Sequence, residues 1–236
     1  MNKTNWLFLT FLACFQLVAQ NRDSLHVNFK VNFKVNFDKL PLELSKEYAT
    51  SNKDRVTITT FKCYVSNIEI YYADKTVFKQ KNSYHLLDLE NPNSCIIPIT
   101  NKNDKIISKV SFNIGIDSLV NTAGALDGDL DPTKGMYWAW QSGYINMKME
   151  GKSPSCNTEA SGRKNEFQFH IGGYLQPYYA MRKKVIAVNH NGDITIAIDV
   201  SIFFAEIDLS KTNSVMIPGK TAMELSDTMA KMFYLE

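Results

Sequence analysis

Much of what would announce an enzyme is missing from these 236 residues. There is no Gly-x-Ser-x-Gly elbow, no His-Glu-x-x-His pair and no phosphate-cradling glycine loop, the spacings that set up a nucleophile, a zinc-bound water or a phosphate. Carboxylates are plentiful, but nothing in the chain pairs them, so no autonomous catalysis is expected. Cysteine is scarce: there are four, with neither zinc-knuckle nor thioredoxin-like spacing. No excess of one charge exists either, since 26 Lys and Arg face 24 Asp and Glu, a formal net charge of +2. The densest basic stretch, Met181-Arg182-Lys183-Lys184, fits a solvated strand edge better than a nucleic-acid groove. No internal apolar run could cross a bilayer as a helix, and no linker marks a second domain.

The apolar run from Trp6 to Cys14 follows Lys3 and precedes Val18-Ala19-Gln20. That order predicts a secretory signal peptide over residues 1–20 and one exported domain over 21–236. A lipoprotein anchor at Cys14 is the lesser reading, because Phe11 fits a lipobox poorly and Phe15 to Ala19 continue the apolar run. Export leaves Cys63, Cys95 and Cys156. An oxidising compartment permits a Cys95–Cys156 disulfide between two polar loops, against the alternative of three unpaired thiols with Cys63 buried in a strand.

What the chain does contain is alternation. Val27, Phe29, Val31, Phe33, Val35 and Phe37 occupy every odd position of a tandem Val-Asn-Phe-Lys repeat, which predicts a strand with one buried face. A slip by one repeat keeps every inward side chain, so the register looks weakly specified, and lysines on the wet face would guard an exposed edge. Further strand patterns run over Val56–Thr60, Cys63–Tyr72, Tyr84–Leu89, Ile106–Ile116, Tyr144–Met149, Phe167–Ile171, Val185–Val188 and Ile194–Phe204. Asn189 to Asp193 suggests a hairpin turn between the last two. Only the C-terminus looks helical, with Thr221-x-x-Glu224 as a capping box and Ala222, Leu225, Met229 and Met232 on one face. The expected fold is all-β, an antiparallel β-sandwich with a short C-terminal helix.

The most unusual stretch is Gly135-Met-Tyr-Trp138-Ala-Trp140-Gln-Ser-Gly-Tyr144, preceded by Asp127-Gly-Asp129-Leu-Asp131-Pro132 and followed by Phe167-Gln-Phe-His170-Ile-Gly-Gly173. Two tryptophans two residues apart share a face of an extended segment. Indoles, acidic oxygens and an imidazole together suggest a metal or redox site, although core packing is the commonest fate of tryptophan. Asp127, Asp129 and Asp131 copy the first ligand positions of a calcium loop, then Pro132 and Trp138 break the EF-hand pattern. A looser calcium site competes there with a plain Asp/Gly/Pro turn.

These blocks, with Phe61-Lys-Cys-Tyr-Val-Ser-Asn67, Tyr84-His-Leu-Leu-Asp88, Ile114-Gly-Ile-Asp-Ser118 and Glu150-Gly151, give a chain that resembles the MbnP-like family of secreted copper-binding proteins from residue 61 to 174. The resemblance implies a periplasmic or secreted β-sandwich that binds copper. It also implies a tryptophan oxidised to kynurenine by a di-haem partner of the MauG-like type. Trp138 and Trp140 match for oxidation and His170 for ligation, with His85 and His26 as candidate second ligands. His190 lies in a turn, where exposure is the plain explanation. A different class of function, an envelope adhesion or interaction module with a tryptophan-rich contact loop, is the alternative.

Overall fold

The alternating N-terminal segment forms β1 (Phe29–Phe37), whose five odd residues are all buried. The structure, a computed structural model, describes residues 29–101, 105–141, 143–156 and 164–236, so the signal segment and His26 lie outside the described residues. β1 is not the exposed edge that its lysines suggested. It runs parallel to β13 (Ile194–Asp199) and antiparallel to β2 (Leu40–Pro41) and β7 (Ile96–Ile99), and β15 (Phe233–Leu235) completes this smaller sheet beside β13. Its register is fixed at both ends by side chains outside the repeat. The Asp193 carboxylate accepts from Lys30 N at 2.8 Å, and that of Asp199 from Asp38 N and Lys39 N, each at 3.0 Å.

The larger sheet runs in the order β12 (Arg182–His190), β8 (Ile107–Ile114), β4 (Arg55–Tyr72), β10 (Gly143–Lys152), β11 (Glu166–Gly172) and β14 (Ser214–Val215). Short strands β3 (Glu47–Ala49), β5 (Val77–Lys79) and β6 (Tyr84–Asp88) flank β4, and β9 (Tyr137–Trp138) pairs with β10. The sheets meet through aromatic rings: Phe33 of β1 stands edge-on to Phe112 of β8 at 5.5 Å, and Phe112 lies 5.8 Å from Phe233 of β15. Each such ring removed from water contributes roughly 1.5–3 kcal/mol. The fold is therefore the expected all-β sandwich, with two parallel pairings, β1 with β13 and β11 with β14, added to antiparallel ones.

The two patterns at Val56–Thr60 and Cys63–Tyr72 belong to one strand of 18 residues, β4. Its buried residues shift phase twice, from Val56 and Ile58 to Phe61, Cys63 and Val65, then to Ile68, Ile70 and Tyr72. Each shift is a bulge, which inserts one residue and turns the following side chains to the other face. The first lies opposite Glu150 and Gly151, and the second falls at Asn67, with φ +52°. Gly151 is required at the first, since a Cβ there would lie 2.1 Å from the Thr57 carbonyl oxygen.

Three local expectations change. β12 and β13 are not a hairpin: β12 pairs with β8 in the large sheet and β13 with β1 in the small one, so Asn189–Asp193 turns the corner of the sandwich. The pattern from Ile194 to Phe204 splits at Asp199, whose carboxylate accepts from Ser201 N and Oγ and starts helix α2 (Val200–Ala205). It is preceded in the chain by α1 (Ser118–Ala123), capped in the same way by Asp117. The C-terminal helix α3 (Lys220–Lys231) buries Ala222, Leu225 and Met229 as expected, but its N-cap is Gly219 and no capping box forms. Cys63, Cys95 and Cys156 are buried free thiols, so the Cys95–Cys156 bridge does not form. Burial raises the pKa of all three, Cys156 to about 11, and keeps them protonated at neutral pH.

Candidate metal centre on the outer face of the large sheet

A second apolar cluster covers the outer face of the large sheet, the face turned away from the sandwich core. Tyr64 of β4, Leu86 of β6, Tyr144 and Ile145 of β10, and Trp138 of β9 pack there under Ile116, Leu130 and Met136 from the overlying loops. Two phenols tie loop to sheet. Tyr64 donates to the Asp129 carbonyl at 2.8 Å, and Tyr144 to that of Leu130 at 3.0 Å while accepting from Leu126 N at 3.0 Å. Burial, then the nearness of other acidic groups, raises both phenol pKa values, so both remain donors. The rings of Tyr64 and Tyr144 meet edge-on at 5.9 Å.

Trp138 and Trp140 share this region but not an environment. Trp138 is 6 % exposed and Trp140 64 % exposed, with ring centroids 6.3 Å apart. β9 ends at Trp138, and Trp140 stands on the turn into β10. The seat of the inner indole is Gly172: a Cβ there would lie 2.7 Å from Trp138 Cζ3 and 2.8 Å from Cη2. Gly172 also faces outward, since its neighbours Phe169 and Ile171 belong to the sandwich core.

His170 lies two residues before Gly172 on that same face, about 7 Å away along the strand. It is 6 % exposed, and its Nε2 lies 2.7 Å from Glu150 Oε1. Glu150 sits on β10 two residues after Lys148, which pairs with His170. Lys148 Nζ is 3.6 Å from Glu150 Oε1 and 3.4 Å from the Gly135 carbonyl, so it links the sheet to the turn before Trp138. The His170 hydrogen bond, aided by the Lys148 charge and opposed by burial, holds the Glu150 pKa below its usual value. In sequence Glu150 is a motif residue with no visible role. It becomes a partner of His170 through the β10–β11 register, which one chain does not display.

The remaining candidates lie elsewhere. His85 pairs with Val65, whose side chain points into the core, so His85 lies on the opposite face from His170. Its Nε2 is 2.8 Å from Gln80 Oε1, and burial lowers its pKa. His85 and His170 do not share a metal. His190 is exposed in its turn, as expected, with Nε2 2.9 Å from the Asp193 carbonyl. The aspartates do not form a calcium cage. Asp129 accepts from Lys134 Nζ at 2.6 Å and Leu86 N at 3.1 Å, Asp131 accepts from Thr133 N and Oγ1 at 2.8 and 2.7 Å, and Asp127 opens a short 3₁₀ turn. The Asp129 and Asp131 carboxylates fix the loop that roofs the outer cluster. Among the described residues no group of three or more His, Cys, Asp or Glu converges as a metal site.

The family model for MbnP matches residues 26–217, which span the sandwich and the outer-face cluster. The chain belongs to the MbnP family. In structure it is similar to MbnP from Methylosinus trichosporium, with a TM-score of 0.54 and 14 % identity over 81 % of this chain and 82 % of that one. At that identity the likeness supports the MbnP fold and transfers no residue roles. No curated protein sequence matches the chain. As donors for copper, the MbnP-family residues on the outer face offer one imidazole and one carboxylate. Both types suit copper, but the pair falls short of a full ligand set.

Proposed function

We propose that the protein is an exported copper-binding member of the MbnP family. His170, oriented by its contact with Glu150, would hold the metal on the outer face of the large sheet, with donors from an oxidised Trp138 completing the set. The observation that carries this reading is the placement of His170 and the seat of Trp138 on one face of β11. When bound, copper supplies a redox-capable ion whose affinity follows its nitrogen donors. The protein's contribution is to orient the imidazole through Glu150 and to shelter the inner indole.

Kynurenine is the proposed form of Trp138. Cleavage of the indole C2–C3 bond places one oxygen on each carbon, a four-electron oxidation that reduces two equivalents of peroxide to water. Hydrolysis of the resulting N-formyl group then releases formate and leaves an aryl amine and a ketone. A di-haem MauG-like enzyme is the proposed oxidase. The exposed Trp140, 6.3 Å from Trp138, gives it a surface contact through which electrons leave the buried ring. Export accords with the N-terminal sequence pattern, and no helix among the described residues is long and apolar enough to cross a membrane.

The test is the mass of the peptide containing Trp138 and Trp140, from protein made with and without the di-haem partner. The expected result is a gain of about 4 Da, located at Trp138 by fragmentation and dependent on the partner. An unmodified peptide from cells containing an active partner would refute the kynurenine step. The interaction-module reading draws on a separate observation, a cavity lined in part by Gln141, the residue after Trp140, with no Lys, Arg, Asp or Glu among its described lining residues.

A further inference from the structure

Past the outer cluster, the chain leaving β11 folds into a closed loop over residues 173–180. Ala180 N donates to the Gly173 carbonyl at 2.9 Å and Tyr178 N to that of Leu175 at 3.0 Å, while Ser118 Oγ anchors the Tyr174 carbonyl at 3.0 Å. Gly173, with φ +138°, lets the chain close, since a Cβ there would sit 2.6 Å from the Tyr178 carbonyl oxygen. Between this loop, Gln141 and Pro218 lies a cavity of about 190 Å³. These backbone bonds fix the course of the loop that carries the lining side chains.

The chemistry of that wall is specific. Gln141, Tyr174, Gln176 and Tyr178 supply the polar groups, Leu175 and Pro218 the aliphatic ones, and no Lys, Arg, Asp or Glu lines the cavity among the described residues. The amides of both glutamines and the hydroxyls of both tyrosines make no hydrogen bond with any described residue. Tyr178, Leu175 and the neighbouring Trp140 expose large apolar surface. An ionic ligand would find no countercharge here, and a purely apolar one would strand four polar side chains. A ring with an apolar C–H face and hydroxyls around its rim satisfies both demands, through contact with aromatic surface and through amides that donate and accept. The volume lies below the usual range for drug-sized ligands, which suits one such ring.

We propose that this pocket is a carbohydrate-binding subsite that takes a single neutral pyranose of a glycan, with Tyr178 as the stacking surface and Gln141 and Gln176 as the hydroxyl-binding amides. The subsite takes no lining residue from His170, Glu150 or Trp138. An open pocket of this size binds weakly, with a Kd on the order of 1 mM.

The test follows the Gln141 and Gln176 side-chain amide signals of the full mature protein by NMR. The probes are maltotriose, cellotriose and tri-N-acetylchitotriose, with a proline-rich peptide as the competing class. The proposal expects at least one trisaccharide to shift both amides saturably, and Tyr178→Ala to weaken it at least tenfold while leaving the rest of the spectrum in place. Gln176→Ala, at an exposed position, provides a second variant that spares the fold. Three outcomes would each overturn the proposal: no shift with any sugar up to roughly 20 mM, shifts that survive Tyr178→Ala, or saturable shifts with the peptide alone.

Discussion

Replacing Gly172 by alanine will destabilise the protein by roughly 2–3 kcal/mol and turn the Trp138 indole out of its seat. The added methyl would lie 2.7 Å from Trp138 Cζ3 and 2.7 Å from the Tyr144 carbonyl oxygen. The carbonyl belongs to β10 and is held by the sheet, so the methyl strains the β10–β11 pairing as well as displacing the indole. Overpacking of a well-filled cluster costs energy because no neighbouring void absorbs the added volume. The measurements are the urea unfolding midpoint and tryptophan emission, which should shift to the red as Trp138 reaches water. Gly219→Ala is the comparison: its φ of 165° is extended backbone and no atom lies within 4 Å of the new Cβ, so only the loss of glycine at the α3 N-cap, about 0.5–1 kcal/mol, is expected. A Gly172→Ala protein with wild-type stability and emission would mean that the indole does not rest on β11.

Glu150→Gln should weaken copper binding by about 10–100-fold, the usual effect of losing the carboxylate that orients and polarises a ligating histidine. The amide keeps the shape of the side chain but loses its charge beside His170 and Lys148. The same substitution carries a pH signature. Because the folded pKa of Glu150 is lowered, its ionised form stabilises the fold above the ordinary carboxylate pKa. That contribution disappears as pH falls through the lowered folded value. Wild type should therefore lose more unfolding free energy than Glu150→Gln between neutral pH and about pH 3. Equal acid sensitivity would show that the His170–Glu150 contact contributes nothing to the folded state.

The sandwich was legible because its strands alternate cleanly. The odd residues of β1 and the apolar face of α3 are buried as their spacing requires. What escaped were features set by one residue or by a distant partner. The β4 bulges reverse inside and outside by inserting a residue, which reads in sequence as two separate strands. Asp199 ends a hydrophobic run by capping a helix, although the apolar pattern continues through Phe204.

The site was half legible for the same reason. The indoles and His170 stand out by type and by motif, but Glu150 acquires its role from the β10–β11 register. His85 is a candidate second ligand in sequence because, like His170, it sits in a strand pattern within a motif. Only the pairing of β6 with β4 shows that it faces the other way. The aspartate triplet leaves a loose calcium site and a plain turn both open in sequence, and the bonds of Asp129 to Lys134 and Leu86 N and of Asp131 to Thr133 favour the turn.

The most direct test of the metal centre is pulsed electron paramagnetic resonance on copper(II)-loaded protein carrying single histidine substitutions. The account predicts imidazole nitrogen couplings that disappear in His170→Ala and persist unchanged in His85→Ala. Couplings that survive loss of His170, or vanish with His85, would place the copper somewhere other than the outer face of β11.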